Sequence, residues 1–338
     1  MLRDHQRQFE TLCRQIASDG MTIPEFVLVH VAPGGGKSSL PVLTAHWLVH
    51  RARLAEKICW VVPNGALREQ GARAFAKDRW EARYLGHSLE IHESTNSPNP
   101  TKGSVGYITT YQALRADGSG INQDEFKRHR YVLILDEFHH LAEGSPYHKA
   151  VEPLVELSSL VIGMTGTIDR GDRSPIYLLP YRGDGLVSKE DTSEIKWISY
   201  SVHQATTEKA IIRVHFDHVD GAAKWYDGAG EIKEADSLGD NRAALFSALK
   251  TEYATQLLDA CLDHWIDYGR CNPRSKMLVV CADTGQARQM LTHLRAKGIK
   301  DAELALKQAK ALPLARVGSD AWLVRIPDGP ALRREQMC

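Results

Sequence analysis

Two stretches of this chain carry residues whose types and spacing suit the handling of a phosphate anion. In the first, VHVAPGGGKSSLPV at residues 29–42, Ala32 and Pro33 lead into Gly34, Gly35 and Gly36, followed by Lys37, Ser38 and Ser39. Glycine has no Cβ, so such a loop can close around an anion and turn several backbone N–H groups inward. A helix opening at Lys37 would aim its positive end at the same anion. The Lys37 ammonium can reach the outer phosphates of a nucleoside triphosphate, and the Ser38 hydroxyl can ligate Mg²⁺. The second stretch, VLILDEFHHL at 132–141, places Asp136 and Glu137 where an apolar run ends. There Asp136 would share the metal, directly or through water, while Glu137 would orient and deprotonate an attacking water. His139 and the adjacent His140 cannot readily converge on one ion, so His139 reads as a hydrogen-bonding relay. The bland alternatives are a glycine turn with a chance Lys-Ser behind it and an acidic pair that merely starts a helix. An apolar run before the loop and a helical pattern after it favour the anion cradle.

The elements that must hold these residues are legible as short apolar runs at 26–31, 58–62, 105–110, 131–136 and 160–167. They lack strict polar–apolar alternation, as do strands buried on both faces of a parallel sheet. Helical patterns separate them. In residues 4–18, Phe9, Leu12, Cys13 and Ile16 make one apolar stripe. Strands alternating with helices imply a doubly wound α/β domain. Pro41 falls early in the helix after the glycines, where it is expected to remove a backbone bond and kink the first turns. Residues 94–104 read as a turn-rich surface loop. Beyond residue 168 the pattern changes to short strands and turns over about 195–235. A helix striped by Phe246, Leu249, Tyr253, Leu257, Leu258, Cys261 and Trp265 follows. A buried strand at 276–282 and an amphipathic helix through Ala287, Met290, Leu291 and Leu294 look like the start of a second α/β domain. The expected division is 1–175 for the nucleotide domain, 176–245 for a linker and β-rich insert, and 246–338 for a partial second domain.

Composition narrows the partners. The chain has 338 residues, with 42 Lys plus Arg against 42 Asp plus Glu, so the formal net charge is zero. A polyanion would therefore be met by a local basic patch and not by the field of the whole molecule. The six cysteines form no C-x-x-C pair, which suits free thiols in a reducing cytoplasm. The charged start MLRDHQRQFE is not a signal peptide, and no apolar run is long enough to suggest a membrane span. The HFDH at 215–218 reads as surface histidines. Asp220 ahead of EIK at 231–233 resembles a nuclease signature, but EIK also occurs at 194–196, so chance produces it readily.

Taken together, these residues resemble a superfamily-two helicase of the DEAD/DEAH-box kind, similar to helicase subunits of phage and restriction systems. APGGGKS resembles its motif I, whose first position is Ala, which accounts for Val31 where the general phosphate-loop pattern has Gly. DEFH at 136–139 is similar to motif II in its DEAH form, with Phe138 in place of Ala. GMTGT at 163–167 resembles motif III, with Thr165 and Thr167 as paired hydroxyls. VVPNGALREQ at 61–70 resembles motif Ia through Pro63, Leu67 and Gln70, and ITTYQAL at 108–114 resembles the next nucleic-acid motif. LRDHQ at 2–6 is similar to the N-terminal glutamine motif. The matches occur in the family's order over residues 2–167. The resemblance implies a RecA-like P-loop domain, then a β-rich insert and a partial second RecA-like domain. It implies ATP and Mg²⁺ as cofactors and movement on nucleic acid, DNA ahead of RNA. Gln6 would face adenine, and residues 32–39 would hold the phosphates. Thr165, Thr167 and His139 would couple nucleotide state to grip. Pro63, Asn64, Gln70, Thr109 and Thr110 would line the strand track; simple strand propensity is the plain reading of the two threonines.

The resemblance stops near residue 300. Helicases of this kind close ATP between two RecA-like domains, the second supplying an arginine finger. No such motif follows Lys300, and Arg316, Arg325, Arg333 and Arg334 lie in no recognisable context. The reading expects a truncated or frame-shifted end, tested by translating the other frames downstream. Alternatively, a missing C-terminal part or a protein partner completes the ATP site. Without the finger, turnover would fall about 10³–10⁵-fold. The competing function is a non-motor ATP-binding switch or an inactive helicase fragment.

Overall fold

The computed structural model describes residues 2–18, 22–87, 89–170, 172, 174–211, 223–226, 229–236, 242–272, 275–305 and 322–326. It divides into two units, Met1–Val214 and His215–Cys338.

The first unit is a seven-stranded parallel sheet with helices on both faces. Its strands are β1 (Phe26–Val31), β2 (Lys57–Val62), β3 (His92–Glu93), β4 (Gly106–Thr110), β5 (Tyr131–Asp136), β6 (Leu160–Thr165) and β7 (Ile195–Tyr200), in spatial order β3-β4-β2-β5-β6-β1-β7. The helices are α1 (Asp4–Ala17), α2 (Leu40–Thr44), α3 (Gly65–Ala74), α4 (Trp80–Leu85), α5 (Tyr111–Arg115), α6 (Ile121–Arg128), α7 (Pro146–Glu156) and α8 (Val202–Thr207). The strands alternate sides, and both sides are apolar. Val27, Val29, Val31, Trp60, Ile134 and Ile162 meet α1 and α2 through Phe9, Leu12, Leu40 and Leu43. Leu28, Cys59, Val61, Leu133 and Leu135 meet the other layer through Tyr111, Phe126, Val151 and Leu154. Double-sided burial is why these runs read as continuously hydrophobic. Because every pairing is parallel, the carboxyl ends of the strands share one rim, where ligands of open α/β sheets sit.

Three details depart from the sequence reading. Ile195–Tyr200, assigned there to the insert, pairs in parallel with β1 from Phe26↔Ile195 to Val31↔Tyr200. It covers the open backbone edge of β1, and Ile198 and Tyr200 complete the apolar layer under α1. Pro41 does not cost a backbone bond. It sits at the second position of α2, where the N–H has no intrahelical acceptor. Beyond α2 the coil widens into a π-helix, Ala45–Arg51. β3, two polar residues long, gives no period to read.

In the second unit, β8 (Ala223–Tyr226) and β9 (Ile232–Ala235) pair antiparallel. Next come α9 (Arg242–Ala248), α10 (Glu252–Cys271), β10 (Met277–Cys281), α11 (Thr284–Ala296), β11 (Glu303–Ala305) and β12 (Trp322–Ile326). Leu258, Leu262 and Trp265 of α10 pack with Ala287, Met290 and Leu294 of α11 and with Cys281. The sheet order is β10-β12-β11 with both pairings antiparallel, unlike the parallel pairing a second RecA-like sheet calls for. The HFDH stretch, Asp220, Arg316, Arg333 and Arg334 lie outside the described residues.

Candidate nucleotide site

The loop after β1 is shaped by its glycines. Gly34 and Gly36 have φ of +76° and +87°, the left-handed region that side chains disfavour. Gly35 is excluded from bearing a side chain by contact: a Cβ there would stand 2.4 Å from Val31 Cγ1 and 2.7 Å from the Ala32 carbonyl oxygen. Ala32, Gly35 and Ser39 are buried, Pro33 and Gly34 exposed, and Gly36, Lys37 and Ser38 half-buried. Lys37, Ser38 and Ser39 form a 3₁₀ turn that leads into α2.

β5 delivers Asp136 and Glu137 to the same rim. Lys37 Nζ pairs with Glu137 Oε1 and lies 3.8 Å from Asp136 Oδ1. The cradle and the acidic pair are therefore contiguous. Asp136 Oδ1 accepts the Glu137 N–H at 3.0 Å, and Tyr111 donates its hydroxyl to the Asp136 carbonyl at 2.9 Å. Glu137 has φ +49°, a left-handed backbone in a residue with a side chain. Such strain persists where surrounding structure over-determines it, as at functional sites.

Electrostatics separates the two acids. Burial pushes the Asp136 carboxyl up to about 6, against the pull of Lys37. Burial also raises Glu137, but the hydrogen bond with His139 and the Lys37 ammonium outweigh it and bring it down to about 2. Glu137 is thus held as a carboxylate, and Asp136 is the group that gains most from a further cation.

β6 supplies the remaining polar groups. The Thr165 hydroxyl lies 2.9 Å from both His139 Nδ1 and the Thr167 carbonyl, and 3.3 Å from Glu137 Oε2. His139 Nδ1 is 3.3 Å from the same carboxylate oxygen. Thr167 is exposed, and its backbone N–H donates to Thr165 Oγ1 at 3.1 Å. On the loop's other side, Gln6 donates to the Gly36 carbonyl at 2.9 Å and to Ser39 Oγ at 2.8 Å.

The rim beyond β2 and β4 is less simple. Asn64 accepts the Leu67 N–H at 3.1 Å and Thr110 the Ala113 N–H at 3.1 Å, so both side chains cap helices. Pro63 is half-buried and Gln70 is exposed on α3. Thr109, expected along the strand track, is fully buried and its hydroxyl has no partner. By strand alternation it shares the face of Tyr107, opposite Ile108 and α3, where strand propensity accounts for it.

Three further residues escaped the sequence reading. Arg3 donates to the Gly34 carbonyl at 2.8 Å, Arg170 donates to the His139 carbonyl at 2.6 Å, and Tyr111 holds the Asp136 backbone. Arg3 and Tyr111 stand inside stretches singled out above, but only the fold shows what they reach. Arg170 carries no local signal.

The residues present fit a magnesium-bound phosphate chain. One hydroxyl and one carboxylate leave room for the water and phosphate oxygens that Mg²⁺ prefers to an all-protein cage. Among the described residues no group of three or more His, Cys, Asp or Glu could hold a metal.

A parallel α/β sheet with a glycine loop and an acidic pair on one rim is the arrangement of the P-loop class of folds. Within it, the chain belongs to the family of the type III restriction enzyme res subunit, whose model matches residues 1–170, and is a superfamily-two helicase-like protein. An uncharacterized protein of Mycobacterium leprae is 24% identical over 333 residues, covering 97% of this chain and 50% of that protein. That match runs past residue 300, beyond the last of the motifs. An uncharacterized protein of Mycobacterium tuberculosis is 27% identical over 217 residues, covering 63% of this chain and 34% of that protein. The chain thus spans half or less of the length of these relatives. Among solved structures, it is similar to a nuclease-deletion mutant of the type ISP restriction-modification enzyme LlaGI in complex with a DNA substrate mimic. The identity is 16% and the TM-score 0.40, over 62% of this chain and 21% of that one. It is also similar to the helicase domain of Pyrococcus furiosus Hef, at 15% identity and TM-score 0.40, over 61% and 40%. Among the described residues, no helix is long and apolar enough to cross a membrane.

Proposed function

We propose that this chain is the ATP-binding part of a nucleic-acid helicase or translocase that hydrolyses ATP to move on its track. The restriction-enzyme family favours DNA ahead of RNA as that track. The observation that carries the reading is the contact of Lys37 with Glu137, 3.8 Å from Asp136, at the mouth of the glycine loop. Ser38 and Asp136 would hold Mg²⁺, and residues 32–39 would take the phosphates. When bound, Mg-ATP supplies the phosphoanhydride whose hydrolysis drives movement. With phosphate present, Lys37 would pair with its oxygens instead of Glu137, and the Glu137 carboxylate would be free to accept a proton from water. His139 and Thr165 share that carboxylate's other oxygen, so a change at Glu137 reaches motif III directly. Gln6 holds Gly36 and Ser39, keeping the loop closed beneath the nucleotide.

The test is an ATPase assay with and without single- and double-stranded DNA and RNA, comparing the wild type with Glu137→Gln. The variant should keep nucleotide binding and lose about 10²–10⁴-fold in turnover. Undiminished hydrolysis would remove Glu137 from this role. Nucleotide binding without nucleic-acid-stimulated turnover would favour a switch over a motor.

A further inference from the structure

We infer that Arg3 is a positioning residue coupling the phosphate loop to Tyr200–Ile211, the segment by which the chain leaves its first unit; this rests on the nucleotide reading above. Its guanidinium lies between two carbonyls far apart in sequence. Nη1 donates to Gly34 at 2.8 Å, and Nη2 donates to Ala210 at 3.3 Å. It also presses on the loop's last glycine, where a Cβ at Gly36 would lie 3.1 Å from Nη1.

The exit segment itself leans on the same loop. A Cβ on Gly34 would stand 3.3 Å from Ile211 Cγ2, and one on Gly35 would stand 3.4 Å from Tyr200 Cδ1. The Tyr200 carbonyl accepts the Ala32 N–H at 2.9 Å. α1 braces the arrangement. His5 lies over the Tyr200 ring at 4.4 Å, Tyr200 donates its hydroxyl to Glu208 at 2.9 Å, and Arg7 stands 3.7 Å from Glu208 Oε1. Loop, α1 and exit segment therefore meet at one side chain.

Arginine offers several donors in a rigid planar fork and accepts nothing. Both carbonyls it serves are neutral. Phosphate oxygens make charge-assisted bonds roughly twice as strong. An anion settling in the loop competes for the guanidinium and shifts Gly34, and either change alters the hold on Ala210. Residue 210 lies four residues before the first unit ends at Val214. Nucleotide occupancy is thereby communicated to the backbone leading towards the second unit, by a route separate from Thr165 and His139. Lysine at position 3 would keep the charge but not the two-carbonyl fork.

Hydrogen exchange of peptides spanning 200–211 tests this in the full chain, with and without a non-hydrolysable ATP analogue and Mg²⁺. In the wild type the analogue should change exchange in that segment by about fivefold or more, the lower end of ordinary site-to-site coupling. Arg3→Lys should still bind the analogue while its 200–211 exchange no longer responds. If that variant fails to bind or fold, Arg3→Gln, which is shorter and lacks both the charge and the guanidinium fork, takes its place. An analogue-bound wild type with an unchanged segment overturns the inference, as does a variant that responds like the wild type. A wild type that binds no nucleotide overturns the function proposed above, and this inference with it.

Discussion

At the scale of single residues, the site is defined by what cannot be substituted. Gly35 is tightly enclosed, with a Cβ position 2.4 Å from Val31 Cγ1 and 2.7 Å from backbone oxygen. Backbone on one side cannot yield, so Gly35→Ala should displace the loop. Overpacking of this kind costs about 1–3 kcal/mol. We expect a lowered melting temperature together with weakened nucleotide binding, read by thermal denaturation and equilibrium titration of the same preparation. A variant that binds as the wild type would show that the loop does not depend on that packing. Phe138 illustrates the same principle. The residue that departs from the DEAH pattern is buried, and its ring lies 3.1 Å from the Cβ position of Gly163. A large side chain there is matched by the absence of one on β6.

At the scale of elements, the two helices that start on the rim beyond β2 and β4 are held by the residues just before them. Asn64 caps α3 and Thr110 caps α5. Asn64→Ala should therefore cost about 0.5–2 kcal/mol of stability whatever the partner. Asn64→Asp keeps the cap and places an anion on the rim. It should hold stability in a denaturant melt while weakening oligonucleotide binding measured by anisotropy. Equal binding by the aspartate variant would place the nucleic-acid track elsewhere.

At the scale of the whole molecule, the first unit buries histidines that do not ionise with it. Burial, with help from Arg3, lowers His5 to about 4, and burial, with help from Arg51, lowers His46 to about 4. Both ring nitrogens of His5, and Nδ1 of His46, lack hydrogen-bond partners. Unfolding returns these rings to about 6.5, so between pH 6.5 and 4 the unfolded chain binds more protons than the folded one. This contribution is fully present above pH 6.5 and is lost as the pH falls, by about 3 kcal/mol per site at the acid limit. Urea melts at pH 7.5, 6 and 5 should show the decline, and His46→Asn should shallow it. A flat profile would mean that these rings find protons or water in the fold.

The sequence alone determined what depends on local chemistry. Five of the sheet's strands announced themselves as apolar runs because both of their faces are buried. The loop announced itself because only glycine tolerates its backbone, and the acidic pair because it ends a buried strand. What only tertiary structure decided was adjacency. Ile195–Tyr200 carries no mark that assigns it to β1 rather than to the insert; a vacant backbone edge selects it. Thr109 and Thr110 are neighbours in the chain and both are buried, yet strand alternation turns them to opposite faces, so one hydroxyl has no partner and the other caps a helix. Arg3 meets Gly34 and Ala210 because it stands at the start of α1, and β1, which follows α1, ends at the loop beside it. Residue type sets what a side chain can do, whereas strand order, which is a long-range property, sets what it does it to.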